Sequence, residues 1–375
     1  MRNFIFAVAT LVGTIIGVGM FGLPYVASQV GLKATLFYLV ILAAVVTLLH
    51  LIYGEIILRT KEKHRLAGYA EIYLGAKGKW LASIIFFSSL YLALLAYLLV
   101  GGEFLSLALS GWVDISANAA SLILAGVGFG VVFKGIKLTG FFELLMTFIL
   151  LAMIFGLIFY GAIFMDSKNL IFSGDTVNWF LPYGIILFAL SGGSAIPEIR
   201  SFFNSGKTWY KKAIILGTLT PAVVYAIFII TVLGISGSST SPEAISGLTP
   251  FFGDNIIKYG AWAGFLAVIT SFFTMGLNIK HSFLFDFKLS KKISFLLTAA
   301  VPLFLFLMGL NDFIRILSWA GSVLGGFEGL LLIWIWRKAK KAGTRSPEYS
   351  LKLPRALQYV LVLMFAAGIF YQFIY

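Results

Sequence analysis

Eleven long apolar runs, separated by short polar segments, dominate this sequence of 375 residues. One helical crossing of a bilayer needs about 20 consecutive apolar residues, so each run is long enough to span a membrane. The runs are apolar throughout and lack the alternation of a transmembrane barrel strand. The sequence therefore predicts an all-α, polytopic membrane protein with eleven transmembrane helices, at 3–31, 34–59, 79–109, 115–134, 139–165, 178–203, 213–236, 259–281, 293–310, 313–336 and 356–374.

The composition excludes a water-soluble domain. Apolar residues make up 60% of the chain and charged residues 11%, against about 45–50% and 25% in soluble proteins. The absence of cysteine excludes disulfides, thiolate catalysis and cysteine-ligated metals. No HExxH motif, P-loop or clustered acid pair suggests an enzyme, and no ring of charge or filter motif suggests a channel.

The basic residues predict an orientation. With the N-terminus in the cytoplasm, 24 of the 28 Lys and Arg residues fall at cytoplasmic ends, as the positive-inside rule requires. The net charge of +13 is thus a topology signal, and we expect no nucleic-acid partner. We expect a plasma-membrane protein with a cytoplasmic N-terminus and an outer C-terminus.

Two spans carry glycine clusters at their centres. The first has Gly17-Val18-Gly19 followed by Pro24, and the sixth has Ser191-Gly192-Gly193-Ser194 followed by Pro197. Each begins a set of five spans, 1–165 and 178–336, so the second set enters the membrane inverted, and 356–374 is an extra helix. Paired interrupted helices in inverted halves point to a transporter's midplane site. The alternative is that the glycines only permit close helix packing.

Two strings carry a family resemblance. The string TIIGVGMFGLPY at 14–25 and the string LFALSGGSAIPEI at 187–199 resemble the signatures of the amino acid/auxin permease family. That family belongs to the amino acid–polyamine–organocation superfamily, and the resemblance implies a LeuT-type fold. The implied fold is a 5+5 inverted repeat plus one helix, with helices 1 and 6 discontinuous. The implied function is secondary active transport of amino acids by alternating access.

An amino acid zwitterion needs two opposite partial charges at the site. The N–H groups that open a half-helix bind a carboxylate, and here these are the amides around Gly17, Val18, Gly19 and Met20. The carbonyls that end a half-helix accept an ammonium group, and we expect these to be the ones near Thr14, Ile15, Phe188, Ala189 and Ser191. Glycine lets the ligand approach the backbone, and Tyr97 and Ser322 are expected to shape the pocket. The expected substrate-binding residues are Thr14, Ile15, Gly17, Val18, Gly19, Met20, Tyr97, Phe188, Ala189, Ser191, Gly192, Gly193 and Ser322.

The eighth span predicts the coupling ion. Ala267, Thr270 and Ser271 share one helical face, and their oxygens, with the carbonyls of Gly13 and Ile16, would form a cage for Na+. This set resembles the sodium site of LeuT-type transporters. The alternative is that both hydroxyls bond to their own helix. A proton is the rival coupling ion, with Glu198 as its carrier.

Other acidic residues have structural interpretations. Glu55, Glu143 and Glu328 lie near the basic loops, where we expect them to pair. Glu103, Asp312 and Arg315 could form an outer gate, although a solvated cluster is the simpler interpretation. The segment 66–74 is amphipathic and should lie along the membrane face.

Together these patterns predict a Na+-coupled symporter of neutral L-amino acids. An H+-coupled symporter and a non-transporting amino acid sensor of the same fold are the alternatives. We expect a monomer whose partners are an amino acid, bound as a small-molecule substrate, and the lipid bilayer. The 37 Phe residues indicate lipid contact and packing, and do not by themselves indicate an aromatic substrate.

Overall fold

The computed structural model describes residues 2–135, 140–171, 179–203 and 209–374. Every regular element in these ranges is helical, which confirms the all-α prediction. The α-helices are α1 (Arg2–Ile15), α2 (Gly22–Val30), α3 (Leu32–Arg59), α4 (Leu66–Leu109), α5 (Ala117–Lys134), α6 (Gly140–Gly161), α7 (Lys168–Ile171), α8 (Leu181–Ala189), α9 (Ile196–Arg200), α10 (Trp209–Ser236), α11 (Thr249–Phe252), α12 (Asp254–His281), α13 (Lys291–Leu307), α14 (Phe313–Trp319), α15 (Gly326–Ala342) and α16 (Arg355–Ile374).

Seven helical segments in the described residues are long and apolar enough to cross a membrane, and the bent first pair makes an eighth. The predicted count of eleven spans is therefore not reached. The other three predicted spans, 139–165, 178–203 and 293–310, fall on shorter or interrupted helices, and residues 139 and 178 lie outside the described ranges. The ninth predicted span, 293–310, is not counted because its helix, α13, has only 17 residues.

The first predicted interruption is present. Helix α1 ends at Ile15, and the chain turns by 56° before the second half of the span continues. Gly17 is extended, with φ −147° and ψ −156°, and a single 3-10 turn at Val18–Phe21 leads into α2. Pro24 lies in the first turn of α2, where its missing N–H costs no helical hydrogen bond.

The sixth predicted span is interrupted as well. Helix α8 ends at Ala189, and a 3-10 turn at Gly193–Ala195 starts the next helical piece. Pro197 lies at the start of α9, a position that favours its fixed φ. Both discontinuities predicted from glycine and proline spacing are therefore found in the structure.

The two breaks lie inside the helix bundle. Helix α1 packs mainly on α10, α2 packs on α8 and α10, and α4 packs on α5 and α12. The side chains of Ile15, Ile16, Val18 and Met20 are all buried at the first break. Within α4, Gly75 has a positive φ of 75° and separates the amphipathic segment Leu66–Leu74 from the rest of the helix.

A segment that we call the strap, residues 343–354, covers one end of the bundle. Its Leu351 N–H donates to the Glu55 carboxylate at 2.8 Å, and Trp336 Nε1 donates to the same group at 2.8 Å. Glu55 is fully buried and pairs with Arg59 at 2.8 Å. The expected pairing of Glu55 is therefore confirmed, and the carboxylate joins α3, α15 and the strap.

The strap also holds α9. Glu348 accepts a hydrogen bond from Arg200 at 3.2 Å and pairs with Arg345 at 2.7 Å. Tyr349 donates its hydroxyl to Leu51 O at 2.7 Å, and burial raises the pKa of Tyr349 well above its usual value, which keeps the phenol a neutral donor. We call this end of the bundle the basic end, because Arg59, Arg200 and Arg345 meet there.

Candidate functional site

The two helix breaks face each other. A Cβ atom on Gly19 would lie 2.8 Å from Ala189 Cα and 2.9 Å from Phe188 Cδ1. A Cβ atom on Gly192 would lie 2.5 Å from Ile15 Cγ1. Only glycine permits such an approach of one backbone to the other, so the two clusters form one site.

The positive pole of the site is the start of the turn at Val18–Phe21. In the described part of the chain, the N–H groups of Gly17, Val18 and Gly19 have no backbone acceptor. The N–H of Met20 donates to Gly17 O at 3.3 Å. Of the four amides predicted for a carboxylate, the Met20 amide is therefore occupied within its own turn, since a 3-10 turn bonds each residue to the third before it.

The negative poles are the ends of α1 and α8, and their carbonyls already have donors. Phe188 O accepts the N–H of Ser191 at 3.0 Å. Ile15 O and Ala189 O both accept the hydroxyl of Tyr225, at 2.8 and 3.0 Å. The expectation of open carbonyls at these three residues needs correction, although the oxygens of Ile15 and Ala189 each retain a second lone pair.

Sequence reasoning missed Tyr225. It lies in α10, is fully buried, and its hydroxyl touches both broken spans. Its neighbours in the sequence are ordinary residues of an apolar span. A buried tyrosine needs a partner for its hydroxyl, and this requirement is the signal that could have marked it.

Tyr97 contacts the first break, whereas Ser322 contacts α8 at a distance from the second break. A Cβ atom on Gly17 would lie 2.9 Å from the Tyr97 hydroxyl, so α4 does bring Tyr97 to the first break. Ser322 lies in the π-helical turn Ala320–Gly325 and faces Gly184 of α8, five residues before Ala189. Beside it, the backbone of Gly321 touches the carbonyl of Gly184.

Part of the site is not covered by other residues of the protein. Thr14 and Ser191 are exposed, and Gly17, Phe188 and Gly193 are partly exposed. The Thr14 hydroxyl donates to Thr10 O at 2.8 Å, within α1. A small ligand could therefore reach the backbone of both breaks.

Glu328 faces the second break. A Cβ atom on Gly193 would lie 2.9 Å from its Oε1 atom, and Tyr53 of α3 lies close by. Among the described residues, the carboxylate has no hydrogen-bond or ion-pair partner. Its predicted pairing is therefore wrong, because the break lies inside the bundle, away from the basic loops. The Glu143 side chain lies outside the described residues, and Glu198 is exposed.

Of the predicted ion ligands, Thr270 already uses its hydroxyl within its own helix. Thr270 donates to Leu266 O at 3.2 Å and to Ala267 O at 3.0 Å. This is the bonding within one helix that the sequence left open as the alternative. Gly13 lies near the end of α1 and Ile16 directly follows it, and α1 packs mainly on α10. Ser271 lies on α12, which packs mainly on α4 and α6.

A cavity of about 740 Å³ lies at the end opposite the basic end. Among the residues that line it are Tyr25 and Gln29 of α2, with Glu103, Glu243 and Asp312. Asp312 accepts the backbone N–H of Arg315 at 2.9 Å, so it caps α14. In the described residues no ion pair joins Arg315 to the carboxylate of Glu103 or of Asp312, so the predicted gate pair is not found.

The chain is similar to two proteins named as transporters over most of its length. It is 25% identical over 380 residues to tyrosine-specific transport system 1 of Haemophilus influenzae, which covers 92% of this chain and 91% of the relative. It is 21% identical over 323 residues to glutamine transporter 2 of Aliivibrio fischeri, covering 84% and 83%.

The family resemblance drawn from the two glycine strings is wrong. Residues 1–372 match the tryptophan/tyrosine permease family, not the amino acid/auxin permease family. The strings mark interrupted helices, which is a physical requirement that different transporter families can share. The protein is a multi-pass membrane transporter and not an enzyme. Because the match spans almost the whole chain, the protein belongs to the tryptophan/tyrosine permease family.

Proposed function

We propose that this permease is a secondary active transporter that moves a neutral, aromatic L-amino acid into the cell by alternating access. The observation that carries the proposal is the meeting of the two breaks, where Gly19 touches Ala189. The N–H pole at Gly17–Gly19 suits a carboxylate, and the second lone pairs of Ile15 O and Ala189 O suit an ammonium group. The family supports an aromatic side chain.

The side-chain preference is the finer part of the proposal. One relative is named for tyrosine and the other for glutamine, so the substrate varies among similar chains. Phe188 is partly exposed beside Gly19, and an aromatic substrate could stack on its ring. We therefore place tyrosine and tryptophan before glutamine.

The transport cycle that we propose uses eleven spans in a LeuT-type 5+5 arrangement. The protein would be a monomer in the plasma membrane, with its N-terminus and basic end in the cytoplasm. The interrupted first and sixth spans support this arrangement, and so does the concentration of basic residues at one end.

The experiment is counterflow into proteoliposomes. Purified protein should exchange labelled L-tyrosine or L-tryptophan against the same unlabelled amino acid, and L-glutamine should compete weakly. Exchange of glutamine alone would contradict the aromatic preference. Absence of exchange for all three, with tight binding retained, would favour a non-transporting sensor.

Na+ is the first proposed coupling ion. The support is the spacing of Ala267, Thr270 and Ser271 on one face of α12. If Na+ binds there, Thr270→Val with Ser271→Ala removes two of about five oxygen ligands. Substrate affinity should then lose its dependence on Na+, and by reciprocity Na+ affinity should lose its dependence on substrate.

A proton is the second candidate, and Glu328 is the observation that favours it. An unpaired carboxylate inside the bundle is costly when ionised, so Glu328 is suited to bind and release a proton beside the second break. Glu328→Gln should then abolish the response of uptake to an imposed pH gradient while exchange persists. Glu198→Gln, at an exposed site, is the matched control. Uptake that needs Na+ and ignores both substitutions would reject the proton.

A further inference from the structure

The hydroxyl of Tyr225 joins the two broken spans. It lies 2.8 Å from Ile15 O, the last residue of α1, and 3.0 Å from Ala189 O, the last residue of α8. The side chain is fully buried in α10, so water does not compete for these bonds.

The electrostatics at this point demand a donor. The end of a helix carries roughly half a negative elementary charge on its unpaired carbonyls. Here two such ends point at one place inside the protein, where they repel each other. A phenol has a single proton, and in this geometry that proton is shared between Ile15 O and Ala189 O.

The hydroxyl also decides what a ligand meets. Each carbonyl retains one lone pair for a second donor, and the N–H groups of Gly17–Gly19 lie on the other side of the first break. Tyr97 approaches the same break from α4 and lies near Tyr225. A zwitterion in contact with those N–H groups would therefore have its ammonium group beside two carbonyls held by one hydroxyl.

We propose that Tyr225 is a positioning residue for substrate: its hydroxyl holds Ile15 O and Ala189 O in register, so that both accept the substrate's ammonium group. The inference rests on the proposed function. It assigns to α10 a part in recognition, although the Tyr225 side chain itself need not touch the amino acid.

The test measures the KM for uptake of labelled L-tyrosine into proteoliposomes that contain the protein. Tyr225→Phe removes one oxygen and keeps the ring, so packing is preserved. We expect KM to rise about tenfold or more, which corresponds to about 1.4 kcal/mol, with the maximal rate within about twofold. The matched control is Tyr91→Phe, which removes one partly buried hydroxyl bond, to Leu297 O at 3.0 Å, between α4 and α13. The control should leave KM unchanged.

Two readouts separate positioning from a general structural effect. Tyramine retains the ammonium group of tyrosine, and 3-(4-hydroxyphenyl)propionate retains the carboxylate. Tyr225→Phe should weaken inhibition by tyramine about as much as it weakens tyrosine binding, and should leave inhibition by the propionate within about twofold. Equal losses for both inhibitors would show a merely structural role and overturn the inference.

A rescue variant keeps the inference testable if Tyr225→Phe fails to fold. Para-aminophenylalanine at position 225 has two N–H donors on the same ring and should restore wild-type KM. A folded rescue variant with a tenfold higher KM would contradict the inference, and so would a Tyr225→Phe variant with wild-type KM. Wild-type protein that takes up neither tyrosine nor tryptophan would refute the proposed function and this inference with it.

Discussion

Replacing Gly19 with alanine tests the contact on which the site depends. The new Cβ atom would lie 2.8 Å from Ala189 Cα and 3.1 Å from Ala189 Cβ. Ordinary contacts of a Cβ atom begin near 3.4 Å, so the two spans must separate by about 0.6 Å, and such overpacking costs about 1–3 kcal/mol. Because the obstacle is backbone, no rotamer change relieves it. We expect lower thermal stability and a roughly tenfold or greater rise in KM for L-tyrosine.

The matched control is Gly126→Ala. Gly126 lies in α5, and no atom lies within 4 Å of a Cβ placed there. Alanine is a better helix former than glycine by about 1 kcal/mol, so this variant should be neutral or slightly more stable. Thermal unfolding in detergent, followed by size-exclusion chromatography, measures stability, and proteoliposome uptake measures KM. Wild-type values of both for Gly19→Ala would refute the close contact of the two breaks.

Two other predictions concern the strap and the orientation. Glu55→Gln leaves Arg59 without its buried partner and should lower the free energy of unfolding by about 3–5 kcal/mol. The control Glu71→Gln, at a half-exposed pair with Lys79, should cost less than about 1 kcal/mol. Unfolding in detergent measures both variants, and equal losses would contradict the role of the Glu55 network. Cysteine at exposed Ser238 should react with an impermeant thiol reagent on intact cells, and cysteine at exposed Ser201 only after permeabilisation; the reverse pattern would invert the proposed orientation.

The breaks in the two spans were predictable because they have a local cause. Gly17 and Gly192 interrupt apolar runs, and Pro24 and Pro197 restart helices, so the chemistry of each residue specifies its backbone. The pairing of Glu55 was predictable too, since Arg59 lies one helical turn away. Such features depend on neighbours in the sequence.

Features set by contacts between distant segments could not be predicted. Tyr225 lies 210 residues from Ile15 and 36 from Ala189, and nothing near it in the sequence specifies either partner. Glu328 was expected to lie near the basic loops and to pair there. That expectation failed because position along a predicted span gives depth in the membrane only approximately. The family assignment failed for a related reason: glycine strings report that a helix breaks, while the substrate depends on side chains brought together from several spans.

The contact between Gly184 and Gly321 limits how the molecule can move. Because the backbones of α8 and the π-helical turn touch there, neither element can slide past the other without breaking van der Waals contact along both. Helices α8 and α14 should therefore travel as one rigid body. In the alternating-access cycle that we propose, rocking of this body would have to be absorbed at hinges near Gly17 and Gly192. At the basic end, the partly exposed Arg200–Glu348 pair holds α9 to the strap, so this pair would have to break if α9 moved away from the strap in that cycle.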